Sequence, residues 1–291
     1  MSSILSDRVQ KVKPSATMAV SDKAKELKSQ GIQIVSMGSG EPDFDTPANI
    51  QKAAVKAIGA GETRYTPADG TPELKKAICE KFKRENGLDY SATEVMVSCG
   101  GKQVFYNLCQ AILNEGDEVI IPTPYWVSYP DMAILADATP VFIEAGLDQD
   151  FKITPDQLEA SITPKSKLFV LNSPSNPTGS VYSRSEIIAL GEVLERHPHV
   201  LTISDDIYEH IRWGEDDFVN IAMACPKLKE HVVILNGVSK AYAMTGWRIG
   251  YAAGPEAVIK AMKKIQGQST SNPSSISQAA ALEAKIGRAH V

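Results

Sequence analysis

From Glu94 onward the chain alternates short apolar runs with amphipathic stretches, and this rhythm admits few folds. Apolar runs of strand length fall at 94–98, 118–121, 140–143, 168–171, 201–204, 232–235 and 248–253. Helical patterns fall between several of them, notably at 102–113, 183–196 and 256–267. Parallel strands need long crossovers, and a helix that crosses over lays its apolar stripe on the sheet. The expected fold class is therefore α/β: a three-layer α/β/α arrangement around a mostly parallel, seven-stranded sheet. Upstream, 17–30 reads as a helix stopped by Gly31, and 47–60 as a second helix. A third covers 72–86, with Thr71 as its cap and Gly87 as its stop. The stretch Gly38-Ser39-Gly40-Glu41-Pro42-Asp43 is the expected boundary between two lobes.

At 291 residues there is chain enough for one large or two ordinary domains. A hydrophobic share of 43% and a charged share of 22% are those of a globular protein. The net charge of −5, with no compensating basic block, argues against nucleic acid or an anionic membrane as partner. Cys79, Cys99, Cys109 and Cys225 show no CxxC pair and no metal-ligand spacing, so no metal is expected and a reducing compartment is. The opening MSSILSDRVQKVKPS lacks a signal peptide's apolar centre, and no run reaches the length of a membrane span. The expected location is the cytoplasm.

In a parallel sheet, ligands bind beyond the carboxyl ends of the strands. The first run ends in Ser98-Cys99-Gly100-Gly101-Lys102, where glycines and a helix start would offer free amides to an anion. The second ends in Pro-Thr-Pro followed by Tyr125 and Trp126; the fourth ends in Asn172-Ser173-Pro174-Ser175-Asn176-Pro177-Thr178-Gly179. The fifth ends in Asp205-Asp206-Ile207-Tyr208, and the sixth leads through small residues to Lys240. Arg248 follows eight residues later. A second cation there favours the neutral amine that attacks a carbonyl, and its planar fork suits a phosphate. An amine beside a phosphate clamp points to pyridoxal 5′-phosphate, which carries an aldehyde and a phosphate on one ring. Singly, each piece has a plainer reading. Gly100-Gly101 and 176–179 are also ordinary turns, Trp126 an ordinary core aromatic, Asp205 an ordinary helix cap, and Tyr208 an ordinary packed side chain. Their joint placement at five strand ends carries the argument.

The segment NGVSKAYAMTGWRIGY (236–251) resembles the lysine-attachment signature of class I, fold-type I aminotransferases that depend on pyridoxal phosphate. SGEPDFDTP (39–47), RYTPADGTPELK (64–75), PTPYWVSYPDM (122–132), NSPSNPTG (172–179) and SDDIYEH (204–210) are similar to that family's motifs in order and spacing. The bacterial subgroup of aspartate and prephenate aminotransferases is the nearest in pattern, over almost the whole chain. The resemblance implies the fold-type I transferase fold with the remnant of a smaller second domain. It also implies a role for each matching residue. Lys240 resembles the lysine that forms the Schiff base and shuttles the proton. Asp205 resembles the carboxylate that keeps the pyridine nitrogen protonated, and Tyr208 and Asn176 the pair that bonds the ring's phenolic oxygen. Trp126 resembles the aromatic stacked on the ring. The amides of Gly101 and Lys102, with Ser239 and Arg248, resemble the phosphate site. Tyr65 resembles the tyrosine that reaches the neighbouring subunit's phosphate, implying a homodimer. Gly40 resembles the backbone contact to the substrate carboxylate, and Lys102, with Ser15 and Thr17 nearby, the group that reads an acidic side chain.

The reaction so implied is ping-pong transamination between an amino acid, foremost L-aspartate, and 2-oxoglutarate. Prephenate, aromatic or alanine aminotransferases and a lyase of the same fold are the alternatives. A non-catalytic effector-sensing domain would need a basic DNA-binding segment before Ser15, which is absent. The expected organisation is an N-terminal segment with part of the small domain (1–45), a large cofactor domain (46–284) and a non-native tail (285–291). The rest of the small domain, with the arginine that clamps a substrate's α-carboxylate, is expected to be missing.

Overall fold

The computed structural model describes residues 4–14, 16–35, 37–38, 40–214 and 217–286. Seven strands, β1 (Val95–Ser98), β2 (Glu118–Thr123), β3 (Thr139–Glu144), β4 (Ser166–Asn172), β5 (Leu201–Asp205), β6 (Val232–Gly237) and β7 (Gly250–Ala253), form one sheet. Their order is β1-β7-β6-β5-β4-β2-β3. The pairs β2/β3, β2/β4, β4/β5 and β5/β6 are parallel, and β7 runs antiparallel to both its neighbours. The carboxyl ends of β1, β2, β4, β5 and β6 therefore share one edge with the amino end of β7.

Side chains alternate across the sheet with the period of two that a strand imposes. Val95, Ile120, Phe169, Leu171, Ile234 and Tyr251 enter one core layer. Met96, Val119, Ile121, Val170, Val233 and Ala252 enter the other. Helices Gly101–Ile112, Ser128–Leu135 and Glu256–Gly267 cover the second face. Helices Ala48–Gly59, Pro72–Lys81, Pro155–Ser161, Arg184–Arg196 and Ser275–Ile286 cover the first. Burial on both faces explains why the strands read as continuous apolar runs. Emptying one such position, as in Phe169→Ala, would cost about 3–5 kcal/mol.

Two expectations change in detail. Arg248 is not in a strand: its backbone is left-handed (φ 56°), so the ladder of β7 begins only at Gly250. The helix expected over 72–86 has its Thr71 cap, whose Oγ accepts from the amide of Leu74 at 3.3 Å. It stops at Lys81, however, and continues as a π-helical turn, Phe82–Asn86, before Gly87 ends it at φ 66°. The helix Ser128–Leu135 escapes a periodicity search because SYPDMAIL is apolar on most sides. Among the described residues, no helix is long and apolar enough to cross a membrane.

Candidate active site

At the shared edge lies a cavity of about 610 Å³. Gly40, Gly101, Lys102, Trp126, Asn176, Asp205, Tyr208, Ser239, Lys240 and Arg248, all expected at the site, line it together. Tyr65 does not; it is 91% exposed on the loop before Pro72. Ser15 and the side chain of Thr17 lie outside the described residues. A larger hollow of about 960 Å³ adjoins, sharing Lys102, Tyr125, Val127 and Arg248, but it contains neither Lys240 nor Asp205. The chemistry therefore sits in the smaller of the two.

One wall is an anion cradle. Gly100 (φ 83°) turns the end of β1 into the first turn of helix Gly101–Ile112, leaving that turn's amides without helical partners. A Cβ at Gly100 would stand 2.3 Å from Arg248 Nη2, so the absence of a side chain lets the guanidinium approach. Arg248 Nη1 donates to the carbonyl of Thr245 at 2.9 Å, which fixes the fork in place. Gly250 closes the arrangement from below, since a Cβ there would meet the backbone of Gly100 and Gly101 at 2.4 Å. Buried Ser239 stands at the turn after β6. Amides, a hydroxyl and a fixed guanidinium together match a phosphate.

The opposite wall carries the acid. Asp205, at the end of β5, is buried, and desolvation pushes its carboxyl up to about 6. Tyr129 donates to its Oδ2 at 2.5 Å and the amide of Ile207 to its Oδ1 at 3.2 Å, both opposing that rise. Asn172 joins the two strand ends: its Nδ2 donates to the Asp205 carbonyl at 2.9 Å, and its Oδ1 accepts from the Asn176 amide at 2.8 Å. Tyr208 is pushed up to about 12 by burial and then by the Asp205 charge, against a hydrogen bond with Asn176.

Lys240 lies between the walls. Its Nζ donates to the Gly40 carbonyl and stands 5.8 Å from the centre of the Tyr208 ring. Burial lowers its affinity for a proton, Glu41 opposes this, and Arg248 adds to it. Lys102 is lowered likewise, by burial first and Arg248 second, and its Nζ lies 5.2 Å from the Trp126 ring centre. Trp126 in turn meets Tyr129 edge-on at 5.2 Å.

Tyr129, Asn172 and Glu41 are site residues that the motifs did not mark by role. The signal for Tyr129 is its place, three residues after Trp126 on a short helix packed against β2 and β3. Glu41 stood in the 39–47 motif without an assigned task, and Thr245 now donates to it.

The family model of aminotransferase class I and II matches residues 32–290. The chain belongs to that family. Curated relatives of this aminotransferase include the aspartate/prephenate aminotransferase of Cereibacter sphaeroides, 60% identical over 283 residues, which are 97% of this chain and 71% of the relative. The aspartate/prephenate aminotransferase of Nitrosomonas europaea is 59% identical over the same share of each. Among solved structures, the aspartate aminotransferase of Rhizobium meliloti superposes with a TM-score of 0.93 at 50% identity, covering 97% of this chain and 70% of that one. The Thermus thermophilus aspartate aminotransferase with maleate gives 0.94 at 47% identity, covering 98% and 73%. The seven-stranded, mostly parallel sheet is thus the sheet of the aspartate aminotransferases.

Proposed function

We propose that this aminotransferase binds pyridoxal 5′-phosphate in the 610 Å³ cavity and moves an amino group between L-aspartate and a 2-oxo acid. The convergence of Lys240, Asp205 and Arg248 on one cavity carries the reading. The residues fit the cofactor: a cradle with no room for a Cβ would hold the phosphate, a buried carboxylate would meet the ring nitrogen, and an amine that burial biases toward its neutral form would meet the aldehyde. When bound, the cofactor supplies the carbonyl that takes up the amino group and a ring that accepts the charge left at Cα.

The chain's own side chains do the rest. The amides of Gly101 and Lys102, Ser239 and Arg248 would hold the phosphate. Asp205, kept anionic by Tyr129 and the Ile207 amide, would hold a proton on the ring nitrogen. Tyr208 and Asn176 would bond the phenolic oxygen, and Trp126 would cover the ring face. Lys240, whose burial favours the neutral amine, would take the proton from the substrate's Cα and return it two atoms away, at the carbon of the cofactor's aldehyde. Lys102, at the mouth beside Trp126, offers its ammonium to a side-chain carboxylate, while Gly40 offers backbone to the substrate. That cation favours acidic donors, and the relatives' names add prephenate as a second keto-acid acceptor. A homodimer, with Tyr65 serving the neighbour's phosphate, belongs to the same proposal, as does the division into 1–45, 46–284 and a tail at 285–291.

Borohydride reduction in the presence of the cofactor, followed by peptide mapping, tests the assignment. A reduced adduct on Lys240, together with a visible band that aspartate shifts, is expected. An adduct on another lysine, or none, would overturn it.

A further inference from the structure

Beneath the cavity floor lies a buried charged cluster with no part in the roles above. Lys81 ends the helix Pro72–Lys81, just where the helix widens into the π-helical turn, and it is 0% exposed. Its ammonium pairs with Glu209, which is 3% exposed, and donates to Asn86 Oδ1 at 2.9 Å. Asn86 Nδ2 donates to Glu209 Oε2 at 3.3 Å, and Asn236 Nδ2 donates to Glu209 Oε1 at 2.9 Å. Asn236 Oδ1 accepts from the amide of Gly237 at 2.6 Å. His210 Nε2 stands 3.3 Å from Glu209 Oε1 and 3.4 Å from Glu85 Oε2. Glu85, Glu209 and His210 offer ligand atoms within 4.8 Å of one another, but Lys81 already supplies the positive charge at the centre.

The places of these residues in the chain give the cluster its meaning. Glu209 directly follows Tyr208 in the turn after β5. Asn236 lies on β6, four residues before Lys240. The carboxylate of Glu209 bridges elements: Oε1 takes Asn236 of β6 together with the Lys81 ammonium and His210, and Oε2 takes Asn86 of the π-helical turn. Fold stability alone does not demand such a cluster, since apolar pairs of similar volume often replace buried ion pairs without loss. A directional acceptor between two elements does fix their register.

We propose that Glu209 is a positioning residue: held by Lys81, its carboxylate ties the lysine strand through Asn236 to the turn that carries Tyr208. It thereby sets the 5.8 Å approach of Lys240 Nζ to the Tyr208 ring. The inference rests on the reading of Lys240 and Tyr208 as site residues.

Two variants test it, because Glu209→Gln alone leaves buried Lys81 with only the more distant Glu85, at 3.7 Å, as counter-charge and could unfold the protein. Asn236→Ala cuts the tie and keeps the ion pair. Lys81→Met with Glu209→Leu removes the central ion pair and keeps the volume. A control, Leu190→Ala, opens a void on helix Arg184–Arg196, elsewhere in the same core layer. In cofactor-free protein, amide exchange over 236–241 is expected to quicken about tenfold in both test variants and not in the control. With cofactor, kcat and the rate of trapping at Lys240 are expected to fall about tenfold in both, while KM for aspartate stays within about twofold. The control is expected to keep both rates within about twofold despite an equal or larger loss of Tm. Both test variants behaving like the control would overturn the proposal while leaving Lys240's role intact. No trapping at Lys240 in the unsubstituted protein would overturn both.

Discussion

The hydroxyl of Tyr129 donates to Asp205 Oδ2 at 2.5 Å, and both side chains are buried. Burial raises the carboxyl of Asp205 from 3.8 to about 6, and this bond holds the rise down. A raised carboxyl contributes stability that is fully present below its unfolded value and is lost as pH climbs through the folded one. Tyr129→Phe removes a donor to the anion, so the folded value should climb further and ionised Asp205 should become costlier. Urea unfolding of the cofactor-free variant should show a loss of about 1.5–3 kcal/mol at about pH 8, shrinking to about 1 kcal/mol near pH 4. Equal losses at both pH values would show that the bond does not favour the anion.

Gly100 and Gly250 should fail in different ways. A Cβ at Gly100 meets the guanidinium at the end of the Arg248 side chain, whereas one at Gly250 meets the backbone of Gly100 and Gly101. Gly100→Ala, also strained at φ 83°, should push the guanidinium from the helix start and weaken cofactor affinity about tenfold or more. Gly250→Ala should instead cost stability, about 1–3 kcal/mol or more, by parting β1 from β7. Cofactor titration and thermal melts of both variants distinguish the two. Native affinity in Gly100→Ala would remove Arg248 from the cradle.

The site was legible in the chain where chemistry and local geometry coincide. Asp205 stands directly after an apolar run, Gly101 and Lys240 within five residues of one, and Arg248 at the head of another, and the sheet brings these ends to one edge. Tyr129 was not legible, because its hydroxyl meets Asp205 only after helix Ser128–Leu135 docks on the sheet. Glu209 and Lys81 resemble solvated surface residues in sequence; only the widened turn at Phe82–Asn86 brings Asn86 between them. The left-handed backbone of Arg248 was hidden for a similar reason, since the pattern 248–253 continues the strand's apolar rhythm without a break.

Glu41 and Arg248 pull Lys240 in opposite directions. The carboxylate of Glu41 raises the amine's proton affinity and the guanidinium of Arg248 lowers it, with burial the larger influence. Glu41→Gln should therefore make Lys240 neutral at lower pH, and Arg248→Met at higher pH. The rate of reductive methylation of Lys240 in cofactor-free protein, followed by peptide mass against pH, reads this directly. Midpoints moving the same way in both variants would contradict the assignment.

Tyr65 is 91% exposed on a loop that buried glutamines pin: Gln278 accepts from the Thr71 amide at 2.8 Å, and Gln266 donates to the carbonyls of Ala68 and, at 2.7 Å, Val97. A rigid loop presenting an uncovered phenol suits a contact outside its own subunit. If Tyr65 serves a neighbour's phosphate, mixing two defective proteins should restore a good site. In a hybrid of Lys240→Ala and Tyr65→Phe subunits, the site holding the intact Lys240 would receive an intact Tyr65 from its partner. Its cofactor affinity should return to the native value, about tenfold tighter than in the Tyr65→Phe homodimer, given the worth of one hydrogen bond to a charged group. If Tyr65 instead serves its own subunit, the hybrid's working site stays as weak as that homodimer. Cofactor titration of hybrids isolated by two affinity tags decides between these outcomes.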